Sequence, residues 1–231
     1  MFRLSVRRLF FTRKLRRILR LCCLRRNNRP TGIFGGTFNP IHLGHIALAR
    51  QAYEELGLDK VIIMPSGNPP HKQGLTIASE YDRCNMVRLA IEDYPYMEFS
   101  DYEITHTGYS YSALTLTEFA KYYSNIYFII GADSLFQLDT WYHPETVMKY
   151  STIVAANRDM HAITELETAV SSLEQRYNAR IKLIHMNDVP ISSSDIRRRI
   201  MSGMPVDGMV SAPVAQYIKE HHLYSGSDIP E

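Results

Sequence analysis

Two histidines three residues apart, His42 and His45, end the string Gly35-Gly36-Thr37-Phe38-Asn39-Pro40-Ile41-His42-Leu43-Gly44-His45. Gly35 and Gly36 let the backbone turn sharply and bring amide groups close to a ligand. Thr37 adds a hydroxyl donor. At a helix start, the spacing of His42 and His45 lets both rings face one point. That point lies near the positive end of a helix dipole, about half a charge, where first-turn amides lack partners. Gly44 removes a side chain where a bulky ligand would approach. The chemistry this favours is polyphosphate binding. The string is not Gly-x-Gly-x-x-Gly and lacks the Gly-Lys-Ser/Thr of a Walker loop. Two histidines could also ligate a metal, but no third ligand stands nearby in the sequence.

Elements that position these residues follow from periodicity. Short apolar runs predict strands at 31–34, 60–65, 97–104, 126–130, 152–156 and 181–186. Helical patterns lie between them, at 43–56, 79–94, 112–123 and 163–177, and two more follow at 193–201 and 212–222. The first helix puts Ile46, Ala49, Tyr53 and Leu56 on one face and ends at Gly57 as a C-cap. The second turns Met86, Leu89 and Ala90 inward. Strands alternating with helices predict an α/β fold with a doubly wound, mainly parallel sheet and helices on both faces. In such a fold, ligands sit at the carboxyl ends of strands, where the strand order reverses. The segments rich in chemistry do follow predicted strands: Gly35 to His45, Ser66 to Lys72, Gly131 to Ser134, and Ala156-Asn157-Arg158.

The first string resembles the signature of the nucleotidylyltransferases, (His/Thr)-x-Gly-His between a strand and a helix. The second signature of that superfamily, Ile-Ser-Ser-Thr-x-Ile-Arg, resembles Ile191-Ser192-Ser193-Ser194-Asp195-Ile196-Arg197, where Ser194 keeps the hydroxyl of the usual Thr. Ser193 or Ser194 is expected to cap the final motif helix. By itself the segment also reads as a capped, basic, solvated helix. Other segments resemble the bacterial-type nicotinate-nucleotide adenylyltransferases from about Thr31 to Tyr224. Asn68-Pro69-Pro70-His71-Lys72 is similar to that family's substrate loop, and Ser110-Tyr111-Ser112-Ala113-Leu114-Thr115-Leu116 to its Ser-Tyr-Thr-x-Asp-Thr-Leu, with Leu114 where Asp is usual.

The resemblance implies a Rossmann-like domain that joins ATP to nicotinate mononucleotide, giving nicotinate adenine dinucleotide and pyrophosphate. It implies catalytic roles for His42, His45 and Arg197. ATP would be held by Gly35, Gly36, Thr37, Phe38, Gly131, Asp133, Arg158, Ser193 and Ser194, and the mononucleotide by Lys72, Thr115 and Trp141. Asp133 suits a ribose hydroxyl, or else caps the next helix. Trp141, the single tryptophan, offers a flat face to an electron-poor ring, or else packs in the core at a helix end. Arg158 precedes Asp159 instead of the family's Pro. The attacking phosphate oxygen is already an anion, so no enzyme nucleophile is required. Mg²⁺ would arrive on the ATP phosphates, with water and phosphate as ligands. A related transferase using pantetheine phosphate or a cytidylyl donor is the nearest alternative.

Composition bounds the rest. The 231 residues suit one α/β domain, and 45% apolar with 22% charged residues is ordinary for a globular protein. No apolar run is long enough to span a bilayer. Three cysteines, Cys22, Cys23 and Cys84, make neither a disulfide framework nor a zinc spacing, so a cytoplasmic setting is expected. Cys84 reads as a packed thiol.

The formal charge of +2 conceals an asymmetry. Residues 1–29 carry eleven of the 26 Lys and Arg and no acid, leaving 15 basic and 24 acidic side chains, a net of −9, for residues 30–231. The basic segment reads as a targeting peptide, a membrane-surface helix, a nucleic-acid arm, or an extension that is disordered or starts at an upstream codon. The last reading is preferred, because no matched residue lies in it. The division is thus a 1–29 extension and a 30–231 nucleotidylyltransferase domain, with the fold beginning near Thr31. No nucleic acid is expected for that domain, whose partners are small molecules. A homo-oligomer is compatible with the sequence. A nucleic-acid protein would act through the tail and be salt-sensitive. A nicotinamide-dependent oxidoreductase is disfavoured by the missing glycine fingerprint.

Overall fold

The computed structural model describes residues 26–68, 77–157, 163–186 and 190–225. Six strands form one parallel sheet: β1 (Thr31–Gly36), β2 (Lys60–Pro65), β3 (Met97–Phe99), β4 (Ile126–Ile130), β5 (Thr152–Asn157) and β6 (Ile181–His185). Their order across the sheet is β3-β2-β1-β4-β5-β6. The order reverses between β1 and β4, so the crevice opens beside Gly35 and Gly36. All strands being parallel, the expected doubly wound α/β fold is met.

Both faces of the sheet are covered, which is why its strands read as continuous apolar runs. Alternation along each strand then divides the core in two. Phe34, Val61, Ile63, Ile129 and Val154 face one side, with Ile33, Ile62, Met64, Phe128 and Ile153 facing the other. The first side is packed by α1 (Leu43–Leu56), α2 (Glu80–Ile91), α8 (Ser193–Met201) and α9 (Ala212–Glu220). The second is packed by α4 (Ser112–Phe119), α5 (Ala132–Phe136), α6 (Pro144–Tyr150) and α7 (Ile163–Tyr177). A single helical turn, α3 (Tyr102–Thr105), follows β3.

Local signals set several ends. Gly57 closes α1 in the left-handed region at φ 59°, donating its amide to the Tyr53 carbonyl. Ser79 caps α2, its Oγ accepting from the Asp82 amide at 3.1 Å. The strand expected over 97–104 stops at Phe99. There the ladder runs out, the Ser100 amide making a last bond to the Ile63 carbonyl, and the Asp101 carbonyl then accepts from Ile104 and Thr105 to wind α3. The short helices α5 and α6 fall between 131 and 151, where periodicity assigned no element; their few residues are below the length at which it shows. The described chain already packs at Asn27, whose amide donates to the Tyr122 carbonyl, and Arg29 pairs with Asp59 at 2.8 Å. Residues 1–25, which hold most of the basic segment, lie outside the described residues. No helix among the described residues is long and apolar enough to cross a membrane.

Candidate active site

The loop after β1 is compressed around aromatic rings. A Cβ on Gly36 would stand 3.1 Å from the Phe38 ring, so glycine lets the chain fold back over it. Phe38 takes φ 48°, a conformation that costs a bulky side chain about 1–3 kcal/mol. Its ring is 2% exposed and meets Phe34 and His45 edge-on, at centroid distances of 5.5 and 5.0 Å. Burial of that ring offsets the backbone cost.

His42 is the N-cap of α1, in extended conformation, and is buried. Its amide donates to Nδ1 of His45 at 3.2 Å. A nitrogen that accepts carries no proton, so neutral His45 holds its proton on Nε2, as a donor. The two rings stack at 3.6 Å and 25°. A Cβ on Gly44 would lie 3.1 Å from the His42 ring. The glycine therefore makes room for His42 itself, rather than for a ligand as the sequence suggested. The first turn is also less open than expected: the Leu43 amide donates to the Met209 carbonyl and the His45 amide to the His42 carbonyl, both at 2.9 Å.

The second motif comes to the same loop. Ser192, one residue before the expected pair, caps α8 by accepting from the Asp195 amide at 3.1 Å. Ser193 is thereby released to donate its hydroxyl to the Pro40 carbonyl at 2.9 Å. Arg197 donates through Nη1 to the Asn39 carbonyl at 2.8 Å and through Nη2 to the Ser194 hydroxyl at 3.3 Å. Arg198 and Arg199 turn back to Asp195 on their own helix.

The other sequence-predicted residues lie around this centre. Gly131 ends β4 and is itself the N-cap of α5, which leaves Asp133 exposed in the first turn rather than capping it. Trp141 is half-buried, meeting Phe128 edge-on at 6.3 Å. Beside it Tyr142 stacks on Tyr111 at 4.3 Å. Thr115 is buried and gives its hydroxyl to Glu103 at 2.6 Å. Leu114, where a carboxylate is usual, is 54% exposed and needs no hydrogen-bond partner there. Lys72 and Arg158 lie outside the described residues. The described contacts thus join Gly36, Phe38, His42, His45, Ser193, Ser194 and Arg197. They do not join Asp133, Trp141 or Thr115 to that group. Among the described residues, no three His, Cys, Asp or Glu side chains stand together as a metal site.

A family model described as cytidylyltransferase-like matches residues 33–199, which takes in both motifs. The chain belongs to that family. A relative named probable nicotinate-nucleotide adenylyltransferase from Clostridium botulinum (strain Alaska E43 / Type E3) is 39% identical over 193 residues, covering 84% of this chain and 96% of its own. One of the same name from Lachnoclostridium phytofermentans is 39% identical over 198 residues, covering 85% and 99%. Among solved structures, Plasmodium falciparum nicotinic acid mononucleotide adenylyltransferase complexed with NaAD superposes with a TM-score of 0.69 at 18% identity, covering 85% of this chain and 98% of its own. That likeness is one of fold.

Within this cytidylyltransferase-like domain, sequence reading missed five positioning side chains. Asn39 accepts at Oδ1 from the Ala78 amide at 3.0 Å and from the Tyr224 hydroxyl at 2.8 Å. Tyr224 is tucked under the loop, and burial pushes its phenol well above the usual range. Glu103 accepts from Thr115; burial pushes its carboxyl up, partly offset by hydrogen bonds from Thr115 and Ser110. Ser110 in turn accepts from the Gly67 and Asn68 amides at 3.0 and 3.2 Å. A Cβ on Gly67 would be 2.3 Å from the Glu103 carbonyl oxygen, so the chain closes here only on glycine. Arg83, the fifth, is 1% exposed. It stands three residues before Met86 and seven before Ala90, so helical spacing alone put it on the inward face.

Proposed function

We propose that the chain transfers the adenylyl group of ATP to nicotinate mononucleotide, forming nicotinate adenine dinucleotide and releasing pyrophosphate. The observation that carries this reading is the tie between Arg197 and Asn39, which brings a guanidinium to the loop that ends in the stacked His42–His45 pair. The names and coverage of the relatives support the choice of acceptor.

The mononucleotide phosphate oxygen attacks the α-phosphorus of ATP in line. The new phosphorus–oxygen bond forms as the bond to the β-phosphate oxygen breaks, and pyrophosphate leaves with the electron pair. No proton needs to be removed from the attacking oxygen. Aligning the two reactants supplies about 7–11 kcal/mol in favourable cases. His45 Nε2–H, His42 and Arg197 stabilise charge on the transferring group and pyrophosphate. Thr37, the amides from Gly35 to Phe38, Ser193 and Ser194 frame the phosphates, while Gly131, Asp133 and Arg158 serve the adenosine end. Mg²⁺ arriving with ATP would be held by phosphate oxygens and water and would offset their charge.

On the other substrate, Trp141 stacks against the pyridine ring and Lys72 offers a cation to the mononucleotide. Because the Thr115 hydroxyl is spent on Glu103, Thr115 contributes by holding the start of α4 against α3. A domain of net −9 can bind two anions in this way, since the phosphates meet a local cluster of histidines, arginine and helix N-terminus rather than the global charge.

The test is incubation of the full chain with ATP and, in turn, nicotinate mononucleotide, nicotinamide mononucleotide and phosphopantetheine, with CTP plus glycerol phosphate as a further pair, scoring pyrophosphate. Release with nicotinate mononucleotide is expected. Release only with another acceptor or donor overturns the assignment.

A further inference from the structure

Arg83, from the middle of α2, is almost wholly buried yet makes no ion pair among the described residues. Burying a cation costs several kcal/mol unless its donors are met. Among the described residues, carbonyls alone meet them. Nη1 donates to Thr37 at 2.9 Å and to Ser66 at 2.7 Å, Nε to Ala78 at 3.2 Å, and Nη2 approaches the Gly67 carbonyl at 3.5 Å. These carbonyls belong to separate stretches of chain. Thr37 lies in the loop after β1, which leads to His42 and His45. Ser66 and Gly67 begin the loop after β2, and Ala78 precedes α2.

The same junction is closed from the other side. The Ser66 amide donates to the Gly36 carbonyl at 2.8 Å, and the Ala78 amide to Asn39 Oδ1 at 3.0 Å. The Ala78 backbone is thus gripped at its carbonyl by Arg83 and at its amide by Asn39. We propose that Arg83 is a positioning residue whose planar fork fixes the loop after β1 against the loop after β2, and so sets the alignment of the two substrates. The identity of those substrates rests on the proposed reaction; the bridge itself does not. Only a fork can do this. A lysine keeps the charge but has one nitrogen to share among carbonyls that approach from different directions.

The test compares Arg83→Lys and Arg83→Gln with wild type, and with Arg88→Lys on the exposed face of the same helix. Three readouts are taken: melting temperature, segment-resolved hydrogen exchange, and steady-state kinetics with binding of a non-hydrolysable ATP analogue. For Arg83→Lys, faster exchange is expected in both 36–42 and 64–68, with β5 and α7 unchanged. A fall in kcat of about tenfold or more is also expected, while analogue affinity changes by less than about threefold, because each loop still holds its own ligand and only their alignment is lost. Arg83→Gln should move the same readouts further, and Arg88→Lys should move none. Unchanged exchange in either segment overturns the proposal, as does exchange that rises throughout the domain in step with a lowered melting temperature. Wild-type protein that releases no pyrophosphate from ATP and nicotinate mononucleotide defeats the proposed reaction instead, and the exchange pattern still decides the bridge.

Discussion

Arg197 and Asn39 stand 158 residues apart in the chain and are joined by a 2.8 Å hydrogen bond from guanidinium to carbonyl. The bond leaves one nitrogen of the fork committed to protein and the other beside the Ser194 hydroxyl. A lysine cannot reproduce both contacts. Arg197→Lys is therefore expected to lower kcat by about tenfold or more through lost alignment, with a small change in melting temperature because the side chain is only half-buried. Turnover equal to wild type would remove Arg197 from the reaction centre.

His45 is placed as a donor by the His42 amide. His45→Ala removes that donor and the ring stack. Loss of a single preorganised donor commonly costs about 10²–10³ in kcat. Circular dichroism should show the fold retained, since α1 is held by the burial of Ile46, Leu48, Ala49 and Ala52. Near-full turnover in the folded variant would contradict the phosphate-site reading.

Trp141 leaves part of its ring uncovered while one edge meets Phe128. Trp141→Ala should raise KM for the mononucleotide and leave KM for ATP close to wild type. Equal effects on both would point to a purely structural role.

Glu103 has a folded-state pKa above its ordinary value of 4.5, chiefly through burial. The neutral form is then the one the fold favours. Its contribution to stability is complete below the unfolded value and is lost as pH rises through the raised folded value. Glu103→Gln cannot ionise, so its melting temperature should gain on wild type as pH climbs from about 4 to about 8. A difference independent of pH would mean that Glu103 does not titrate in this way.

Removal of residues 1–25 is expected to leave kcat and KM unchanged, because every joined site residue lies from Gly36 onward. Removal through residue 29 also deletes the Asn27 pairing with Tyr122 and the Arg29–Asp59 bridge. Exposed ion pairs are worth about 0–1 kcal/mol, so the longer deletion should lower melting temperature slightly without touching turnover.

Much of the fold was legible because it is written in local patterns. A parallel sheet covered on both sides needs uninterrupted apolar strands, and Ile126–Ile130 and Lys60–Pro65 were recognisable on that ground. Gly57 marked the end of α1 because only a residue tolerant of positive φ ends a helix in that way. The pairing of His42 with His45 was legible too, since three residues along a helix is a fixed geometry. Where local pattern was short or ambiguous, as at α3, α5 and α6, it misled or was silent.

The sequence by itself determined the two motifs, the strand ends that carry them and the charge divide between tail and domain. Only the tertiary structure decided what those residues touch. It showed that Gly44 clears space for His42, that Ser192 rather than Ser193 caps α8, and that the Thr115 hydroxyl goes to Glu103. It also showed Arg83 and Asn39 gripping the Ala78 backbone, one at its carbonyl and the other at its amide. The reason is physical. Periodicity and capping depend on neighbours a few residues away, whereas these contacts depend on strand order, which brings β1, β2 and the start of α8 to one end of the sheet and has no local signature.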